Sequence, residues 1–182
     1  MRCAEKAALT MTLALLLCAC GGAGTEERVE ARRGELAAAE RLSFTAELTA
    51  NLDTEVFPFT LACTDSAGIL TAEVLAPAGI AGIRARMDGA GTAVEFEQLS
   101  LPVGDGAGYP LSALPLLTEA LRSGHVIRSW TEHGHLAAEL YVGDSQELTV
   151  WYTEEGMDPA FASLSEGGVE KVRCRITDFQ TE

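Results

Sequence analysis

The sequence lacks the short motifs that mark the common enzyme and metal-site chemistries. Its 182 residues contain no Gly-x-Ser-x-Gly, His-Glu-x-x-His, Walker or Cys-x-x-Cys pattern. Histidine is scarce, and His133 and His135 flank Gly134, so we interpret both as residues of a turn and not as metal ligands. The acidic residues are spread along alternating segments, as in a solvated surface. We therefore predict no catalytic residue, no metal site and no cofactor.

Positive charge is also scarce. The chain has 13 lysines and arginines against 27 aspartates and glutamates, which gives a formal net charge of -14 at pH 7. An acidic chain repels nucleic acid and the anionic headgroups of a bacterial membrane. We therefore predict that nucleic acid is not a partner, and that any membrane attachment comes from a lipid rather than from a basic patch.

The N-terminal hydrophobic run is too short to cross a membrane. It extends from Ala7 to Leu17, whereas a transmembrane helix needs about 20 apolar residues. A short charged segment precedes the run and small residues follow it, which is the layout of a secretory signal peptide. The four residues Leu17-Cys18-Ala19-Cys20 resemble the lipobox of bacterial lipoproteins. The resemblance implies cleavage before Cys20 and a diacylglycerol thioether on its sulfur.

This interpretation divides the chain into three parts. Residues 1–19 are the signal peptide, residues 20–25 are the lipidated Cys20 and a glycine-rich tether, and residues 26–182 form a single domain. The expected location is the extracytoplasmic face of the cell membrane, where the N-terminal lipid anchors the protein.

Only two cysteines fall within the domain, Cys63 and Cys174. An even pair in an exported protein permits a disulfide. The alternative is two buried thiols that pack as small apolar side chains. Both alternatives stay open here, because the sequence does not show whether the two Cα atoms lie within bonding distance.

What the domain does contain is period-two alternation of apolar and polar residues. Leu42, Phe44, Ala46 and Leu48 alternate with polar residues, which is typical of a strand with one buried face. We predict nine strands, at about residues 42–50, 57–63, 70–74, 83–87, 92–101, 125–131, 136–142, 148–152 and 169–179. Helices are predicted at 26–40, at about 114–123 and, as a short element, at 158–164.

Shorter segments connect these elements. Residues 65–68 are predicted to form a turn, and 102–110 a glycine-rich loop. A hairpin turn near Gly89 is predicted to place Arg84 opposite Glu95.

Short turns between the strands imply an antiparallel sheet, and about nine twisted strands tend to curl. The predicted fold class is α+β: a strongly curved, unclosed half-barrel with an N-terminal helix and a central helix on its concave face. The residues that carry a resemblance are strand 42–48 after a helix, segment 74–83, the leucine-rich central helix and the ending 172–179. This order resembles the LolA/LolB type of lipoprotein-carrier fold. The resemblance implies an unclosed barrel that is covered by helices and has no catalytic signature.

Two functions of different class fit this fold. In the first, the concave face binds a lipid or another hydrophobic ligand. The residues predicted to line that face are Phe44, Leu48, Phe59, Leu61, Phe96, Leu117 and Leu121. In the second, the central helix fills the same face, and the domain binds a protein partner at the cell envelope. Trp151 and Tyr141 are predicted on the opposite face, either as a binding patch or packed under the N-terminal helix.

If Cys20 carries the lipid, its replacement removes the anchor. We predict that Cys20→Ser moves the protein out of the membrane fraction, because the acyl chains supply its membrane affinity. Cell fractionation and immunoblotting measure the change, and Cys18→Ser is the matched control that stays in the membrane fraction. A Cys20→Ser protein that remains fully in the membrane fraction would contradict the anchor.

Overall fold

The computed structural model describes residues 24–52, 55–104, 112–143 and 145–182. The predicted signal peptide, Cys20 and most of the tether lie outside the described residues, as does most of the predicted glycine-rich loop. Two helices are described, α1 (Thr25–Ala38) and α2 (Ala113–Ser123). Neither is long and apolar enough to cross a membrane.

Eleven strands are described. They are β1 (Arg41–Leu52), β2 (Glu55–Ser66), β3 (Ile69–Ala76), β4 (Arg84–Asp88), β5 (Gly91–Phe96), β6 (Leu99–Gly104), β7 (His125–Glu132), β8 (His135–Tyr141), β9 (Gln146–Thr153), β10 (Pro159–Glu166) and β11 (Val169–Thr181). A short 3-10 turn, Ala78–Ile80, follows β3.

All described strands belong to one antiparallel sheet. The order across it is β6-β5-β4-β3-β2-β1-β11-β10-β9-β8-β7. Strands β6 and β7 therefore lie at opposite ends of the sheet and do not pair with each other, so the sheet is not closed. The antiparallel, unclosed architecture with two helices is as predicted. The predicted pairing of Arg84 with Glu95 is also confirmed, although the guanidinium of Arg84 makes its ion pair with Glu73, at 2.7 Å.

The predicted count of nine strands is wrong, first because segment 92–101 is two strands. The chain turns at Glu97 and Gln98, and Glu97 adopts a left-handed backbone with φ 53°. The spacing of the apolar residues in the sequence indicates this turn. Their spacing changes from two to three between Phe96 and Leu99, so a single straight strand would place them on opposite faces.

The second reason is β10, which was predicted as a short helix at 158–164. The segment pairs with β9 on one side and β11 on the other. Ala162 and Leu164 are buried and Phe161 is exposed, which is the alternation of a strand. Asp158 does not cap a helix. Its carboxylate accepts a hydrogen bond from Arg32 on α1, at 2.6 Å.

One face of the sheet, called here the inner face, packs under both helices. Cross-strand pairs place Phe44, Cys63, Ala72 and Ala85 in one row of buried side chains. Leu114, Leu117 and Leu121 of α2 recur at intervals of three and four residues, as expected of an amphipathic helix, and belong to the same buried core as this row. Gly124 ends the helix close to its backbone, where an added Cβ would lie 2.8 Å from the carbonyl oxygen of Ala120.

Cys63 and Cys174 are buried free thiols in the structure. They lie on β2 and β11, and β1 runs between these two strands. Two strand spacings are about 9.6 Å, which exceeds the Cα separation of about 4.4–6.8 Å that a disulfide needs. The geometry therefore corresponds to the alternative of two packed thiols.

Arg122, near the end of α2, joins both helices to the sheet. Its Nε donates to Asp65 Oδ2 at 3.1 Å, and its Nη1 donates to the carbonyl oxygens of Leu36 and Ala39 at 2.9 and 2.7 Å. Those carbonyls lie at the C-terminal end of α1, where backbone acceptors lack helical partners. One guanidinium thus stabilises the contact between α1, α2 and β2.

We predict that Arg122→Ala lowers the free energy of unfolding by about 2–4 kcal/mol, because it leaves a buried carboxylate and two carbonyls without their donor. Urea denaturation followed by circular dichroism measures the change. Arg84→Ala is the matched control, since its pair with Glu73 is largely exposed and contributes less than about 1 kcal/mol. Equal losses of unfolding free energy in the two variants would show that the Arg122 contacts contribute no more than an exposed ion pair.

Candidate functional site

The structure places the seven predicted ligand-binding residues in two environments. Six of them, Phe44, Leu48, Phe59, Leu61, Leu117 and Leu121, belong to the hydrophobic core or pack against it. In this structure they contact the chain's own helices and strands rather than an open cavity. The seventh, Phe96, is 46% exposed. The leucine-rich helix therefore fills the part of the interior that sequence analysis assigned to a ligand.

An open groove of about 820 Å³ lies beside α2, and we regard it as the candidate site. One wall is the helix, with Pro115, Thr118 and Glu119. The opposite wall is formed by the ends of β2–β5 and their turns, where Leu70 and Met87 provide apolar surface. A groove of this size with apolar walls and a few polar groups is typical of small-molecule sites.

Beyond the groove, the inner face continues over β5 and β6, where it is not covered by either of the two described helices. Val94 pairs with buried Ala85 on one side and with Leu101 on the other, and Phe96 pairs with Leu99. These four residues, Val94, Phe96, Leu99 and Leu101, are called here the open strip. Leu99 and Leu101 are 67% and 62% exposed, although their positions face the core side of the sheet.

The groove and the open strip are continuous along β5. Thr92 lines the groove, and it lies on the same face of β5 as Val94 and Phe96 because side chains alternate along a strand. Together they form a single surface, with polar groups only at the groove end and an apolar strip beyond it. Of these residues, Phe96 was predicted from the sequence to line a ligand surface, whereas Leu99 and Leu101 were not.

Asp65 lies at the floor of the groove and was predicted as a turn residue. In the structure it is the last inner-face residue of β2, paired with Leu42 and Leu70, and it is only 5% exposed. Arg122 holds its Oδ2, but its Oδ1 is buried without a hydrogen-bond partner in the described part of the chain. The sequence did contain an indication of this inner-face position, since Asp65 continues the alternation of Leu61 and Cys63.

The outer face carries both tryptophans of the chain. Trp130 and Trp151 lie on either side of the buried Ala137, and their indole N–H groups donate to Glu132 Oε2 at 3.1 and 3.3 Å. These hydrogen bonds lower the pKa of Glu132 below its usual value, that from Trp130 most. The helix α1 belongs to the inner core, so Trp151 does not pack under it.

The histidines do not converge on a metal site. His133 occupies a turn with φ 51°, and His135 Nδ1 lies 3.3 Å from the carbonyl oxygen of Tyr152. No group of three potential ligands among histidine, cysteine, aspartate and glutamate occurs within the described ranges.

The chain was compared with known proteins. No protein-family model and no curated protein matches its sequence. Among solved structures, it is similar to a LolA superfamily protein from Nitrosomonas europaea at 11% identity and a TM-score of 0.46, covering 82% of this chain and 92% of that chain. The Mycobacterium tuberculosis lipoprotein LppX is similar at 12% identity and a TM-score of 0.41, with coverage of 82% and 92%.

A third similar chain comes from the structure of the CwlD amidase of Clostridioides difficile in complex with the GerS lipoprotein. Its identity is 15% and its TM-score 0.44, with 89% of this chain and 98% of that chain covered. All three TM-scores lie below 0.5, so these similarities assign neither a family nor an activity.

The two domain thiols should be unreactive in the folded protein. Burial raises the pKa of Cys174 to about 12 and also raises that of Cys63. At pH 8 the thiolate fraction of Cys174 is therefore about one in ten thousand, against about a quarter for an ordinary thiol. We predict that iodoacetamide modifies neither residue until the protein is unfolded.

Peptide mapping by mass spectrometry, with and without 8 M urea and without reductant, measures this reactivity residue by residue. Alkylation of both cysteines in urea is expected. Their protection in urea as well would contradict the free thiols and indicate a disulfide.

Proposed function

We propose that the chain is a membrane-tethered extracytoplasmic lipoprotein whose domain binds a lipid or another hydrophobic ligand in the groove and along the open strip. The supporting observation is the exposure of Phe96, Leu99 and Leu101 on the core side of the sheet. Contiguous apolar side chains are rarely left exposed on a soluble domain unless they contact another molecule.

The surface is large enough for useful affinity. Burial of about 300 Å² of apolar area on binding corresponds to about 7.5 kcal/mol before the costs of association. A ligand chain that runs from Thr92 in the groove to Phe96 in the open strip extends over about 13 Å at the rise of a strand. Such a contact is consistent with reversible binding, which a carrier or a sensor of hydrophobic molecules requires.

The tether and the location remain part of the proposal. The lipobox-like sequence ending at Cys20 supports a lipid anchor, and the order of elements that resembles the LolA/LolB fold supports a hydrophobic cargo. We propose a binding role rather than catalysis, since among the described residues the groove lining combines Thr92, Thr118 and an Arg122–Asp65 pair without a nucleophile and base in contact.

A second function fits one specific observation. Strand β6 is an end strand of the sheet, and it carries Leu99 and Leu101 of the open strip. End strands present backbone hydrogen-bonding groups to which a strand of another protein adds. The alternative is therefore an interaction lipoprotein whose partner at the cell envelope binds at β6.

We predict that the full chain in its Cys20→Ser form, purified without detergent, binds the neutral apolar dye N-phenyl-1-naphthylamine, and that Phe96→Ser/Leu101→Ser weakens binding about tenfold or more. Removing two large apolar contacts costs at least the 1.4 kcal/mol that a factor of ten requires. Dye fluorescence on titration measures the affinity.

Ile127→Ser is the matched control, because Ile127 is an aliphatic residue 51% exposed on the other end strand. Its dye affinity should stay unchanged. Equal dye affinity in all three proteins would overturn the open strip as the ligand surface. Native mass spectrometry of the same preparation tests for a copurified ligand, which is expected to dissociate as a discrete lipid-sized mass.

A further inference from the structure

The groove lining is predominantly acidic. Among the described residues that line it, four carry carboxylates and one a guanidinium: Glu40, Asp65, Asp88, Glu119 and Arg122. The whole chain is also acidic, with a formal net charge of -14. A cleft lined by one sign of charge concentrates ligands of the opposite sign and repels those of the same sign.

Two of these carboxylates are already paired. Asp88 lies 3.3 Å from Arg86 and accepts the backbone N–H of Ala90. Asp65 is paired with Arg122, whose positive charge is thereby compensated at the groove floor. The lining thus offers a ligand no unpaired positive group among the described residues.

The other two carboxylates form the outer part of the groove. Glu40 follows α1 and Glu119 lies on the exposed side of α2, and both side chains are solvent-exposed. Within the described ranges, neither makes an ion pair or a side-chain hydrogen bond. They are called here the rim carboxylates, and they remain available to a cation in the groove.

A different kind of observation at the groove floor indicates a ligand that donates hydrogen bonds. Asp65 is 5% exposed, and its Oδ1 is buried without a donor. A buried carboxylate oxygen without a partner is unfavourable, and a hydrogen-bond donor supplied from the groove would satisfy it. An ammonium group has three such donors and no acceptor.

We propose that the ligand of this site is a cationic amphiphile, with an ammonium group between the rim carboxylates and Asp65 and an apolar chain along the open strip. This inference rests on the proposed function, because it specifies the ligand of the same surface. Lipids with an anionic headgroup bind more weakly, because the carboxylates of the groove repel them. Salt weakens the preference, since the rim carboxylates are exposed and therefore screened.

The test compares three probes of equal chain length with the Cys20→Ser chain at pH 7: dodecylamine, 1-dodecanol and dodecanoate. Each probe is titrated, below its micelle concentration, against bound N-phenyl-1-naphthylamine. Dodecylamine is expected to displace the dye at a concentration about tenfold or more below that of dodecanoate, with 1-dodecanol between them. The ratio should fall in 0.5 M sodium chloride.

A pair of variants assigns the preference to the rim. Glu40→Gln/Glu119→Gln should bring the ratio of amine to carboxylate affinity close to one, with each affinity measured against the dye affinity of the same variant. Glu27→Gln/Glu155→Gln is the matched control, because these residues are exposed, lie outside the groove lining and change the net charge equally. The control should keep the full ratio.

The outcomes separate this inference from the proposed function. Equal or tighter binding of dodecanoate, with dye binding intact, overturns the charge preference and leaves a hydrophobic site. If both double variants reduce the amine preference equally, the rim carboxylates are not its source. The net charge of the chain would then be the cause, and the inference would be overturned. Failure of all three probes and of the dye to bind would overturn the proposed function itself.

Discussion

The position of both helices depends on one guanidinium. Arg122 binds a buried carboxylate of the sheet and two carbonyl oxygens at the end of α1, so three elements meet at a single side chain. A planar guanidinium suits this role, because its N–H groups point in fixed directions to several acceptors, whereas a lysine ammonium has no such geometry. The same contact closes the floor of the groove. Stability of the fold and the shape of the candidate site therefore have a common origin in Arg122 and Asp65.

A second constraint is the width of the sheet. Eleven strands at about 4.8 Å spacing extend over about 50 Å, and the described residues provide two helices of 14 and 11 residues to cover that width. The two helices contribute to the core around Leu36 and Leu121. The end formed by β5 and β6 receives no helix in the described part of the chain. The helices therefore fill the interior at one part of the sheet, and the apolar strip on β5 and β6 stays exposed because no described helix is left to cover it.

Much of this architecture could be predicted from period-two alternation, because a half-buried antiparallel sheet repeats it in every strand. Both long helices and the Arg84–Glu95 register followed from spacing and turn residues. The errors came from rules of local chemistry that tertiary pairing overrode. Asp158 and Pro159 are typical of a helix start, yet β9 and β11 offered this segment two partner strands. Aspartate is common in turns, yet Asp65 lies inside a strand because Arg122, 57 residues away, compensates its charge there.

The candidate site was harder to predict, because exposure depends on which part of the face the helices cover. Phe44 and Phe96 have similar alternating surroundings in sequence, but only Phe96 lies beyond the helices. The alternation of apolar and polar residues around them does not by itself distinguish a covered strand from an uncovered one. What would have helped is the spacing of Phe96 and Leu99, since a change of phase within an apolar segment indicates a hairpin, and the last hairpin before α2 lies at the end of the sheet.

The edge strand itself favours a small ligand over an added strand. Pro102 lies within β6 and has no N–H to donate, and the register shifts between Thr92 and Ala93 where β5 meets this strand. Both features hinder continuous pairing with another chain, and natural proteins use them to protect exposed edges. The side chains of Leu99 and Leu101 nevertheless stay exposed on the inner face. An edge that is protected against strand addition while its apolar face stays open fits an amphiphile lying across the strip better than a partner strand lying along β6.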